Sequence, residues 1–114
     1  LVSLPKTSPF LDRLIAEAWG NCWGIFLTSE VPFETIRRHL RRFLVVDLPG
    51  KGKHYFRFYD PRVLRTHLPS CTAESRTEFF GPIDSYLIED DDAAVVLAWR
   101  HPREGRDGPE SLRV

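Results

Sequence analysis

His54-Tyr55-Phe56-Arg57-Phe58-Tyr59-Asp60-Pro61-Arg62-Val63-Leu64 is the stretch whose reading decides the fold. In an extended chain Phe56 and Phe58 share one face and Tyr55, Arg57 and Tyr59 the other, so the alternation predicts a strand over 54–59. Arg57 then sits between two tyrosines, which requires ring stacking together with a carboxylate or backbone carbonyl within reach. Asp60 before Pro61 reads as a helix start. The carboxylate accepts from exposed backbone N–H groups, and a proline in the first turn sacrifices no bond. This strand-to-helix junction contains no Ser, Cys or His placed as nucleophile or base, so it reads as architecture.

Upstream, Trp23 to Thr28 is bulky and nearly all apolar, the pattern of a central strand buried on both faces. Trp19 and Trp23 read as core packing. Pro32 opens a helix with Phe33, Ile36, Leu40 and Phe43 inward, and Leu44 to Leu48 follows as a strand. Strand, helix and strand form a crossover, right-handed if the strands are parallel. Pro49 to Lys53 turns the chain back into the aromatic strand, giving an α/β fold with a mixed sheet, a hairpin and short helices.

The remaining elements follow from caps and breakers. Leu1 to Leu4 reads as the end of a strand. Ser8 and Pro9 start a helix carrying Phe10, Leu14, Ile15, Ala18 and Trp19 on one stripe, with Gly20 as its stop. Val63, Leu64 and Leu68 face inward from a helix that stops before Pro69. Thr72 caps a short helix ending at Phe79-Phe80, with Gly81 and Pro82 as stop signals. Tyr86 to Ile88 and Ala94 to Trp99 read as strands joined across Glu89 to Asp92. Residues 1–99 thus form one domain, and 100–114 read as a flexible tail or linker.

A chain of 114 residues suffices for one core. It has no apolar run near the roughly 18 to 20 residues of a membrane span, and its start lacks the pattern of a secretory signal. The expected location is the cytoplasm. Two cysteines, Cys22 and Cys71, are too few for a disulfide framework. They form either one bridge or two buried thiols, and the second reading is favoured. Net charge is zero, yet residues 34–67 hold nine Lys or Arg against three acids, and residues 72–92 hold seven acids against Arg76 alone.

Candidate chemistry is sparse. Gly50-Lys51-Gly52-Lys53 lacks the spacing, the following hydroxyl and the helix of a phosphate loop. His39, His54, His67 and His101 show no metal-site spacing. Glu89 to Asp92 lacks the spaced ligands of a calcium loop, and charged hairpin tips commonly blunt edge pairing. Asp47 and Asp60 each have a structural role available, and no Ser-His-Asp or Cys-His arrangement follows from spacing. No catalytic residue, metal or cofactor is assigned. The basic outer face of the second helix, Arg37, Arg38, Arg41 and Arg42, is the candidate partner surface. Four guanidiniums within two turns repel one another, so either an acidic partner relieves them or Glu34 and the chain's own acids do.

Four runs resemble the type VI secretion effector-adaptor family, long catalogued as a domain of unknown function and also called effector chaperones. They are Trp23-Gly24-Ile25-Phe26-Leu27-Thr28-Ser29, His39-Leu40-Arg41-Arg42, Phe56-Arg57-Phe58-Tyr59-Asp60-Pro61-Arg62-Val63-Leu64 and Phe79-Phe80-Gly81-Pro82. The resemblance covers about residues 1–86. It implies a non-catalytic bacterial adaptor that holds a toxin effector and helps load it onto the VgrG spike. Trp23, Gly24, Phe56, Arg57, Phe58, Tyr59, Asp60, Pro61, Arg62, Gly81 and Pro82 would then be structural residues of the motif. Family members usually carry a further segment ahead of the position of Leu1, so the chain reads as the latter part of the domain. The rival reading is a nucleic-acid-binding module with the four arginines on phosphates and Tyr55 and Tyr59 as stacking platforms. Overall neutrality counts against it. A third reading is a hydrolase fragment completed by residues outside the chain.

Overall fold

Three helices begin where a side chain stands in for a missing backbone partner. Ser8 Oγ accepts from the N–H groups of Phe10 and Leu11 at 3.2 and 3.4 Å and opens α1, Pro9–Ala18. Asp60 opens α3, Pro61–Ser70, and Thr72 Oγ1 opens α4, Ala73–Phe80, by accepting from Ser75 N at 3.1 Å. Between them α2, Phe33–Arg41, starts after Pro32 without a side-chain cap. The computed structural model describes residues 1–5, 7–106 and 108–113.

Six strands complete the α/β fold: β1 Phe26–Thr28, β2 Val45–Leu48, β3 Gly52–Tyr55, β4 Ser85–Glu89, β5 Val95–Arg100 and β6 Glu110–Arg113. The expected mixed sheet resolves into two antiparallel sheets, one ordered β1-β4-β5-β6 and one formed by β2 and β3. The turn after Leu48, closed by Lys51 N on Leu48 O at 2.9 Å, commits β2 to β3. This leaves β1 to pair with β4, in the register Leu27 opposite Tyr86. Helix α2 therefore bridges two sheets, and the strand-helix-strand run is not a parallel crossover.

The core lies where α2, α3 and α4 cover the four-stranded sheet. Leu64, Leu68, Phe80, Ile83, Tyr86 and Ile88 are fully buried there. Phe79 joins the layers. Its ring stacks on Tyr86 with centroids 5.3 Å apart and meets Phe43 and Phe58 edge-on at 5.2 and 5.8 Å. Such offset and edge-on pairs add stabilisation beyond the area they bury.

Several local expectations give way to this packing. The aromatic strand ends at Tyr55, because the turn closed by Asp60 N on Arg57 O at 3.0 Å is needed to enter α3. Phe56 and Phe58 still face the core, but Tyr55 is 84% exposed and Arg57 lies over the Tyr59 ring alone, 6.0 Å from its centroid. Among the described residues Arg57 makes no ion pair, so only the stacking half of its expected setting is realised. Strand β1 is a three-residue edge strand, not a central one, and Trp23 precedes it with 64% exposure. Residues 1–5 form no strand, and of the α1 stripe only Ala18 is buried. Helix α3 runs one residue past Pro69, its end tightened by Cys71 N on Leu68 O at 3.3 Å. The stretch expected to be a tail contributes a 3-10 turn, Pro102–Glu104, and β6 on the free edge of β5. Asp107 and Val114 of that stretch lie outside the described residues.

The Asp60 cap is worth testing alone. Oδ1 accepts from Arg62 N at 2.9 Å and Nε at 3.0 Å, while Oδ2 accepts from Nη2 at 2.8 Å. The Arg62 hydrogen bonds hold the Asp60 carboxyl below the usual carboxylate range. Asp60→Ala is expected to lower stability by about 1–2 kcal/mol at neutral pH in denaturant melts. Because the folded-state pKa is lowered, this contribution is full above the unfolded carboxylate pKa. It is lost as pH falls through the folded value, so the two proteins should begin to converge only below about pH 4 and meet once the pH is below the folded value.

Candidate functional site

Helix α2 buries Ile36, His39 and Leu40, and its period leaves the arginines outward. His39 secures the orientation by donating from Nε2 to the Phe79 carbonyl at 2.7 Å. Arg37, Arg38, Arg41 and Arg42 are all exposed. Arg37 pairs with Glu34 at 3.5 Å, whereas Arg38, Arg41 and Arg42 form no ion pair among the described residues. The Arg42 guanidinium lies over the Phe43 ring at 5.8 Å.

Four acids of residues 72–92 are engaged elsewhere. Asp91 pairs with Arg65 at 2.6 Å, Asp92 with Arg113 at 3.9 Å, and Asp84 with Arg103. Glu89 is only 4% exposed, and its carboxylate accepts from Gly20 N at 2.5 Å and Cys22 N at 2.8 Å. This buried acid fixes the loop between α1 and β1, where Cys22 takes a positive φ of 57°. The hydrogen bond to Glu89 pushes the Cys22 thiol up, so the group is no activated nucleophile.

Beside the arginine row lies an open groove of about 350 Å³ between the end of α2, strand β2 and helices α3 and α4. Phe43, Val46, Phe56 and Phe79 form its apolar wall. His67, Cys71, Ser75 and Glu78 supply the polar groups. Cys71 Sγ lies 3.2 Å from His67 Nε2. Burial raises the Cys71 thiol and lowers the His67 imidazole, which keeps both neutral and unlike a thiolate–imidazolium pair. Both cysteines are free thiols. The groove was missed in the sequence, although His67 and Cys71, four residues apart at the end of α3, were a signal for it.

The motif residues scatter by role. Phe58, Asp60 and Pro61 are buried, Phe56 lines the groove, and Trp23, Arg57, Tyr59 and Arg62 are exposed. Gly24 and Pro82 are half-buried in loops, and Gly81 ends α4. His101 donates to the Gly81 carbonyl at 3.2 Å, and His54 to the Lys51 carbonyl at 3.0 Å. Among the described residues no three His, Cys, Asp or Glu side chains converge as metal ligands. Nor is any helix there long and apolar enough to cross a membrane.

Fold and surface together define an α/β domain in which Arg42, lying over the Phe43 ring, adjoins a largely apolar groove. The chain belongs to the family described as Domain of unknown function (DUF4123), whose profile matches residues 1–78. No curated protein and no solved structure matches it.

Proposed function

We propose that this protein is a non-enzymatic cytoplasmic adaptor that binds a type VI secretion toxin effector and helps load it onto the VgrG spike. The secretion context rests on the resemblance carried by the Trp23, His39, Phe56 and Phe79 runs. The observation that carries protein binding is the charge arrangement on α2. Arg38, Arg41 and Arg42 stand exposed without an ion pair among the described residues, while Asp84, Asp91 and Asp92 are paired with other arginines. Repulsion within such a row is relieved by an acidic partner surface, which also steers association.

The test is co-elution in size-exclusion chromatography with a purified type VI secretion toxin and a VgrG protein from the same organism. The expected result is a complex with the toxin, joined by VgrG on further addition. Separate elution of the chain from both proteins at micromolar concentration would contradict the adaptor reading.

A further inference from the structure

We propose that the groove between α2, β2, α3 and α4 receives an apolar anchor side chain of an acidic protein segment, whose carboxylates pair with Arg38 and Arg42. The inference deepens the adaptor reading and rests on it for the claim that the partner is a protein. Two features share one lip of the groove. Phe43 lines the cavity, and the Arg42 guanidinium lies over that same ring at 5.8 Å. Arg38 stands one helical turn before Arg42 on the same flank, so a segment laid along α2 meets both charges. The cavity of about 350 Å³ is at the small end of ligand pockets, suited to one large aromatic or branched side chain.

Charge decides the occupant's flanks. The α2 side offers guanidiniums without ion-pair partners among the described residues, so carboxylates belong there. On the α4 side Glu78 lines the groove beside Ser75, which disfavours a carboxylate and admits a hydroxyl or amide. Neutral His67 and Cys71 at the floor add no charge that would repel an apolar anchor. A hydrophobic centre with a charged rim is the usual anatomy of a protein-binding hot spot.

The experiment uses the full chain and synthetic peptides of one length. The first carries a central Trp flanked on one side by Asp and Glu, the second replaces that Trp by Ser, and the third replaces the acids by Lys. Binding is read by fluorescence anisotropy, and occupancy by the rate at which N-ethylmaleimide alkylates Cys71, resolved from Cys22 by mass spectrometry. The acidic Trp peptide should bind and slow Cys71 alkylation, and the other two should bind at least about tenfold more weakly. Val46 and Ser75 are exposed, so Val46→Glu and Ser75→Tyr alter the groove without emptying the core. Each should weaken the first peptide at least about tenfold, while Trp23→Ala should leave it unchanged. Binding without Cys71 protection, equal binding of the Lys-flanked peptide, or indifference to both groove variants overturns the proposal. Toxin co-elution with no peptide binding removes the groove and spares the adaptor. Peptide binding with no toxin or VgrG co-elution does the reverse.

Discussion

Phe79→Ala should lower folding free energy by about 3–5 kcal/mol, a large share of what a domain of this size possesses. The ring is 2% exposed and lies within 6.2 Å, centroid to centroid, of Phe43, Phe56, Phe58, His67 and Tyr86. Those rings come from the turn after α2, the turn before α3, α3 itself and β4. Removing Phe79 therefore opens a cavity at the junction of both layers, not at one contact. Urea denaturation followed by tryptophan fluorescence should show a lower midpoint, or an unfolded baseline in buffer. A midpoint shift below about 1 kcal/mol would show that neighbouring rings collapse into the space, contrary to the packing described. Phe79→Leu, which keeps most of the apolar volume, should lie between the two.

Gly81→Ala is the second large effect, expected to cost about 3 kcal/mol or more from two separate sources. Gly81 ends α4 with φ 49° and ψ −117°, a conformation that side-chain-bearing residues rarely adopt. An added Cβ would also lie 2.3 Å from His39 Cε1 and 2.8 Å from Nδ1 and Nε2. His39 cannot withdraw freely, since its ring is buried and its Nε2 bonds the Phe79 carbonyl. A double-mutant cycle separates the sources. In a His39→Ala background the steric cost of Gly81→Ala should vanish while the backbone cost persists, giving a clearly non-additive pair. Additive effects would place the whole penalty in the backbone.

The caps at Ser8, Asp60 and Thr72 were legible because a helix start is written in three or four consecutive residues. The strand partners were not, since β1 finds β4 57 residues away, as in the Thr28–Ser85 side-chain hydrogen bond. Nothing near Trp23 signals that distant pairing. The alternation of residues 54–59 fitted a strand, but the demand of Asp60 and Pro61 for a turn overrode it. Strand β6 was hidden by composition, because an edge strand such as Glu110-Ser111-Leu112-Arg113 is largely exposed and shows little apolar period. On the candidate surface the arginine face of α2 followed from helical period alone. The groove beside it required the tertiary meeting of three separate stretches, Phe43 with Val46, Phe56, and His67 with Cys71.

The grip of Arg38 and Arg42 on an acidic protein surface is tested by one salt series comparing the wild-type chain with the Arg38→Glu, Arg42→Glu variant. Toxin binding is followed by stopped-flow association, with single- and double-stranded nucleic acid titrated in parallel. An unchanged denaturation midpoint and a slower association rate are expected for the variant. The affinity loss should be larger at low salt than at high salt, and nucleic acid should bind poorly at all ionic strengths. Micromolar nucleic-acid binding with a steep salt slope, lost in the variant while no toxin complex forms, would contradict that grip and place phosphates on those arginines instead.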